Sequence, residues 1–169
     1  MSSMAQTNST LLLDADLAGF IQGGVAIALA SANAQRVPSI GRALGCRVDA
    51  LGRSVELFLI ASKSPTLLDD LRTGHAVAVT FTKPSSHRTL QIKAHSARLL
   101  PARVEDRAVV SRYLREFTAD VGAAMGGSRE ALVFAALGQA DEINVRVVLE
   151  PAAIYEQTPG PRAGQWLNT

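Results

Sequence analysis

The chain has 169 residues, of which 47% are hydrophobic and 5% aromatic, and a formal net charge of +2. That length fits one domain, and the apolar fraction supports an aliphatic core, which excludes a disordered chain. The small cationic excess excludes the charge block of a nucleic-acid-binding tail, yet it suits the phosphate of a small ligand.

Cys46 is the only cysteine, so an intrachain disulfide and a cysteine-based zinc cluster are both ruled out. No base accompanies it in the sequence, and it reads as a small core hydrophobe. "MSSMAQTNST" has no basic n-region and "LLLDADLAGF" is cut by Asp14 and Asp16, so neither is a signal peptide. No apolar run reaches the about 18 residues of a membrane span, and the expected location is the cytoplasm.

Residues 1–10 are expected to form a disordered tail, with a single domain over 11–158 and a loop tail over 159–169. "DADLAGFIQGG" reads as a short helix, with Asp14 as N-cap and Leu13, Leu17, Phe20 and Ile21 on one face. "VAIALASA" alternates Val25, Ile27 and Leu29 with alanines and reads as a strand whose alanine face admits either a flat ligand or a packed helix. "RVPSIGRALGCRVD" is a second extended run, in which Gly41 and Gly45 mark bulges or close backbone approach. "SVELFLIA" is a third strand. "SKSPTLLDDLRTG" is the clearest helix, with Ser64 as N-cap, Pro65 at the first position and Gly74 at the end. "HAVAVTFT" is a fourth strand. "KPSS" then turns into a fifth, running to about Leu100, in which Leu90, Ile92 and Ala94 alternate with Thr89, Gln91 and Lys93.

A helical insertion is expected over about 103–138. It holds a long amphipathic helix carrying Val109, Val110, Tyr113, Leu114 and Phe117, then a second helix capped by Ser128 with Glu130 in its first turn. The last strand is "INVRVVLEPAAIYEQT", and "PGPRAGQWLNT" reads as loop. About six mostly antiparallel strands with inserted helices give an α+β, mainly β class, and a small closed barrel fits the strand count.

Three places join cations to hydroxyls: Ser39 with Arg42, the segment Ser62-Lys63-Ser64 with Thr66, and the polar face of "RTLQIK". A helix N-terminus offers free N–H groups and a partial positive charge, so the second place suits a phosphate; equally, Ser64 is a plain cap and Lys63 a solvated cation. His75, His87 and His95 have no metal spacing. Asp69-Asp70 and Asp141-Glu142 read as solvated. Arg112 and Arg115 lie among Glu105, Asp106, Glu116 and Asp120, an ordinary mixed-charge surface. No dinucleotide fingerprint or P-loop is present.

The order of "RVPSIGRALGCRV", "SKSPTLLDDLRTGHAVAVTF" and "SSHRTLQIKA" resembles the pyridoxamine 5'-phosphate oxidase-like family of FMN-binding split barrels. The likeness covers roughly Asp14 to Leu100, and more weakly the final strand with "EQTPGPRAG". It implies a six-stranded antiparallel split β-barrel with Greek-key topology, a homodimer, and FMN in the groove between subunits. It further implies that Arg42, with the adjoining Ala43 and Leu44, meets the cofactor from the second strand. Ser62, Lys63 and Ser64 match the family's phosphate-binding helix start, although the usual Ser-Arg-Lys triplet is not intact. Thr89, Gln91 and Lys93 match the strand that meets the flavin ring, with Gln91 displaced by two positions and Ala94 replacing the usual glycine. "PRAGQWLNT" holds Arg162 and Trp166 but not the longer oxidase pattern, so pyridoxamine phosphate oxidation is not carried over. The function implied is an FMN-dependent oxidoreductase on an unidentified small molecule. The alternatives are a flavin- or haem-binding module without turnover and, last, a nucleic-acid-binding barrel, which would show aromatics on its strands.

Overall fold

The alternation in the first strand folds as expected. In β1 (Ala26–Ala32), Ile27 and Leu29 are buried while the alanines between them are half-exposed, because successive strand side chains face opposite ways. The computed structural model describes residues 12–125 and 136–167. Among them lie α1 (Ala15–Ile21), β1, β2 (Pro38–Ala43), β3 (Cys46–Val48), β4 (Val55–Leu59), α2 (Pro65–Arg72), β5 (Val77–Thr82), β6 (Thr89–Ala94), β7 (Ala97–Pro101), α3 (Asp106–Met125), β8 (Val145–Leu149) and β9 (Ala153–Glu156). The tail at 1–10 lies outside the described residues, as does the helix expected at 128–137 except for Ala136 and Leu137.

All pairings between these strands are antiparallel. They form a five-stranded sheet, β2-β1-β5-β6-β9, and a four-stranded sheet, β3-β4-β8-β7. Three of the extended runs expected as single strands are each broken in two, and each break carries the chain from one sheet to the other. The run through "PSIGRALGCRV" turns between β2 and β3 at Leu44-Gly45. Gly45 has φ +101, a conformation that glycine adopts without a Cβ penalty. A Cβ there would also sit 2.9 Å from Cβ of Tyr113. The fifth run does not continue to Leu100 as one strand but turns at His95-Ser96, between β6 and β7. The last turns around Pro151, between β8 and β9. Strands that switch sheets make the corners of two packed sheets.

The tail also departs from the loop expected of it. The Glu156 N–H donates to the Gln165 carbonyl (2.9 Å) and the Leu167 N–H to that of Ile154 (2.8 Å). Residues 165–167 therefore extend the larger sheet beyond β9, with Trp166 opposite Tyr155. The prolines and glycines of "PGPRAG" make the turn that brings this segment back, rather than ending order.

Leu29, Val79, Ile92 and Ile154 stand opposite one another across four strands and are almost fully buried. The smaller sheet adds Val55, Leu57 and Val147. Each such side chain contributes roughly 1.5–3 kcal/mol. Asp14 caps α1, accepting from the Leu17 N–H at 2.8 Å, and Leu17 and Ile21 anchor that helix.

Helix α3 buries Val110, Tyr113, Leu114, Phe117 and Val121 and is tied down at both ends. At its start Asp106 is fully buried; it accepts from Arg47 at 2.7 Å and from the Arg103 N–H at 2.8 Å, and Arg146 lies 3.6 Å away. Arg146 also binds Glu56, which Arg47 binds as well. Near its other end Asp120 binds Lys83 at 2.8 Å and accepts from the Ser85 hydroxyl and N–H. The reading of this helix's charges as an ordinary surface is thus corrected at Asp106, whose partners come from β3 and β8.

Candidate functional site

Helix α2 begins against β2. Ser64 is its N-cap residue and Pro65 its first residue. Pro65 has no N–H, and the next N–H groups of the first turn have no carbonyl of their own helix to meet. Gly41 of β2 makes the approach possible: a Cβ there would stand 2.6 Å from the Ser64 hydroxyl oxygen and from Leu67. Ser64 is 4% exposed, and its hydroxyl makes no capping bond to its own helix. A small cavity of about 90 Å³ lies beside it, lined by Arg42, Leu44, Ile60, Lys63, Ser64 and Leu137 among others. A wider groove of about 310 Å³, lined in part by Ile40, Lys63, Ser64 and Thr66, flanks the same helix start.

Arg42 and Lys63 have no carboxylate within ion-pair reach among the described residues. Lys63 donates to the Leu137 carbonyl at 3.2 Å. Arg42 lies over the face of Phe117, 4.8 Å from the ring centroid. Two cations, a hydroxyl and a helix N-terminus thus meet at one cavity, an arrangement suited to an anion with several oxygens.

From Arg42 a row of side chains crosses the outer face of the five-stranded sheet. The register places Arg42, Ala28, Thr80, Gln91, Tyr155 and Trp166 opposite one another in that order. Arg42 and Gln91 are three strand spacings apart, roughly 14 Å. Only Ala28 and Thr80 stand between them, so the surface there is flat. The next row runs Ile40, Ala30, Ala78, Lys93 and Ala153. Lys93 is exposed, and its ammonium sits 4.8 Å from the Tyr155 ring centroid. An apolar groove of about 470 Å³ continues this face past Ala30, Ala76, Ala78, Lys93 and His95.

No protein-family model matches the sequence, and no curated protein matches it. The fold does find solved relatives. A pyridoxamine 5'-phosphate oxidase candidate from Lactobacillus delbrueckii superposes with a TM-score of 0.52 at 13% identity, covering 88% of this chain and 97% of that one. The protein HupZ of Group A Streptococcus superposes with a TM-score of 0.52 at 11% identity, covering 90% of this chain and all of that one. The chain shares the fold of the pyridoxamine 5'-phosphate oxidase-like proteins.

On this pyridoxamine 5'-phosphate oxidase-like fold the expected site residues divide into groups. Arg42, Leu44, Lys63 and Ser64 are brought together at the small cavity. Gln91 and Lys93 lie on the outer face, as their alternation with Leu90, Ile92 and Ala94 requires. Thr89 is buried, and its hydroxyl donates within the hairpin, to Thr82 or the His87 carbonyl. Ala43 points into the core and pairs with Ile27. Ser62 is exposed on the turn before Ser64. Ser39 does not join Arg42: three positions apart on a strand, they face opposite ways. Ser39 instead donates to Asp70 at 2.5 Å in the interior, which overturns the reading of Asp70 as solvated. Its neighbour Asp69 is exposed and pairs with Arg72. Among the described residues no histidine, cysteine and carboxylate group forms a metal-type cluster, and no helix is long and apolar enough to cross a membrane.

Phe117 beneath Arg42 carries no mark in the sequence, since nothing local links residues so far apart. Tyr155 and Trp166 are equally hidden, although their placement in "IYEQ" and "GQWL" on either side of a Pro/Gly turn has the form of a hairpin signal.

Proposed function

We propose that the chain is an FMN-binding split-barrel protein that works as a homodimer and acts as a flavin-dependent oxidoreductase on a small molecule. The observation that carries this reading is the convergence of Arg42, Lys63, Ser64 and the start of α2 on one cavity. That cavity stands at one end of a flat row that reaches Gln91. The residues present fit FMN. The cations, the uncapped Ser64 hydroxyl and the free N–H groups of α2 suit its phosphate. Gln91 offers an amide donor and acceptor to ring polar atoms, and Ala28 and Thr80 leave room for a flat group between them. Bound FMN would supply the electron and hydride chemistry, while the protein binds, orients and shields it. The second copy is placed on the outer face of the larger sheet. Ile40 and Trp166, at opposite edges of that face, are 72% and 56% exposed, and the apolar groove past Ala30 and Ala78 lies between those edges, so the face offers apolar area for association.

Titration of the purified full chain with FMN, followed by quenching of flavin fluorescence, tests this. One FMN per chain is expected. Arg42→Ala should weaken binding by about ten- to a hundredfold, the effect of losing a charge-assisted hydrogen-bonding partner. A protein that takes up no FMN, or one that shows the Soret band of bound haem, overturns the reading. Flavin-dependent oxidation of NADH or NADPH by the loaded protein then separates an enzyme from a carrier.

A further inference from the structure

Helix α3 packs against the anion-binding end of the site, and its aromatic residues reach Arg42. Tyr113 and Phe117 are one helical turn apart, with ring centroids 5.6 Å apart and planes within 11°. The Arg42 guanidinium lies 4.8 Å from the Phe117 centroid. A guanidinium stacked on a ring face keeps its in-plane N–H donors free for an anion. Arg42 itself is exposed on an edge strand, so without the ring beneath it the side chain would sample many rotamers and lose that freedom on binding. Tyr113 is buried, and its hydroxyl has no hydrogen-bond partner of good geometry. Burial raises its pKa, and Arg42 opposes that rise, first by its positive charge and then as a donor lying near the hydroxyl. The platform is fixed in place, because α3 is held by Asp106 at one end and by Asp120 towards the other.

We propose that Phe117, supported by Tyr113, is a positioning residue that holds Arg42 ready for the phosphate, so that α3 belongs to the binding site. This inference rests on reading the Arg42–Lys63–Ser64 cavity as the phosphate site.

The test uses the full chain with FMN and inorganic phosphate as separate probes, titrated by calorimetry. Phe117→Leu should weaken both probes by about three- to tenfold, the range of a cation–π contact at a partly buried position. In an Arg42→Ala background the same substitution should have no further effect, which a general loosening of the fold would not reproduce. Should Phe117→Leu fail to fold, Phe117→Met, whose flexible side chain adapts to an irregular space without offering a ring face, carries the same expectation. If Arg42→Ala weakens binding while neither Phe117 variant does, or if the Phe117 effect persists in full without Arg42, the positioning role is overturned. If the wild-type chain binds neither probe, the phosphate reading fails, and this inference falls with it.

Discussion

Asp120 lies towards the end of α3, where Lys83 and Ser85 from the β5–β6 turn close on its carboxylate. Burial pushes its pKa up, but the bonds from Lys83 and Ser85 outweigh this and hold it below its ordinary value. A depressed folded pKa means stability that is present above the unfolded pKa of about 4 and is lost as pH falls through the folded value. Asp120→Asn should therefore cost about 1 kcal/mol at pH 7, discounted for the exposure of Lys83. The difference from wild type should shrink at pH 3. Urea unfolding midpoints at the two pH values measure this, and a cost that does not change with pH would refute the linkage. Nothing local marks Asp120 on a helix so crowded with charges, and Asp70 and Asp106 are illegible for the same reason. Their partners Ser39, Arg47 and Arg146 come from other elements, and a carboxylate carries no sequence mark of its distant ion pair. Lys63 is legible as a cation beside hydroxyls, because that signal is local, whereas the hydroxyl read beside Arg42, that of Ser39, faces the other way and bonds Asp70.

Elements follow the same division between local and distant causes. Helix α2 is readable end to end, since Pro65 at its first position and Gly74 after its last turn are local signals, although the Ser64 hydroxyl at the N-cap position makes no bond to the helix. The corners where strands change sheets are readable only where the backbone needs a special residue. Gly45 marks the β2–β3 corner and Pro151 the β8–β9 corner. The β6–β7 corner at His95-Ser96 has neither; its one mark is that the polar alternation, regular from Thr89 to His95, slips phase by one residue at Ser96, too slight a signal to end a strand. Gly45→Ala tests the corner directly. Alanine at that positive φ is strained by about 1–3 kcal/mol, and its methyl would also press on Tyr113. The melting temperature should fall by several degrees; a change of less than one degree would show that the corner relaxes freely.

At the scale of the whole molecule, periodicity alone places these residues in the interior: Leu90, Ile92 and Ala94 enter the core between the two sheets as their spacing demands. The opposite face of the larger sheet is visible in the sequence only as small and polar residues alternating with that interior set, because the alternation fixes which side chains face outward and says nothing of what covers them. The proposed homodimer makes that face testable. A stable interface needs roughly 1,200–2,000 Å² of buried surface, and a broad, flat sheet face of small residues offers close contact over such an area. Ile40 is the large apolar side chain at the β2 edge of the row through Ala30 and Ala78, and it is solvent-facing in the single chain. Ile40→Glu costs the isolated fold little, since nothing buried is disturbed, but it places a charge in any interface there. Light scattering should give twice the chain mass for wild type and the chain mass for Ile40→Glu, with unchanged circular dichroism. FMN affinity should fall at least tenfold in the variant, as the proposed completion of the groove by a second copy requires. Wild-type protein that is monomeric at micromolar concentration, or an Ile40→Glu dimer that still binds FMN normally, would move the cofactor site away from this face.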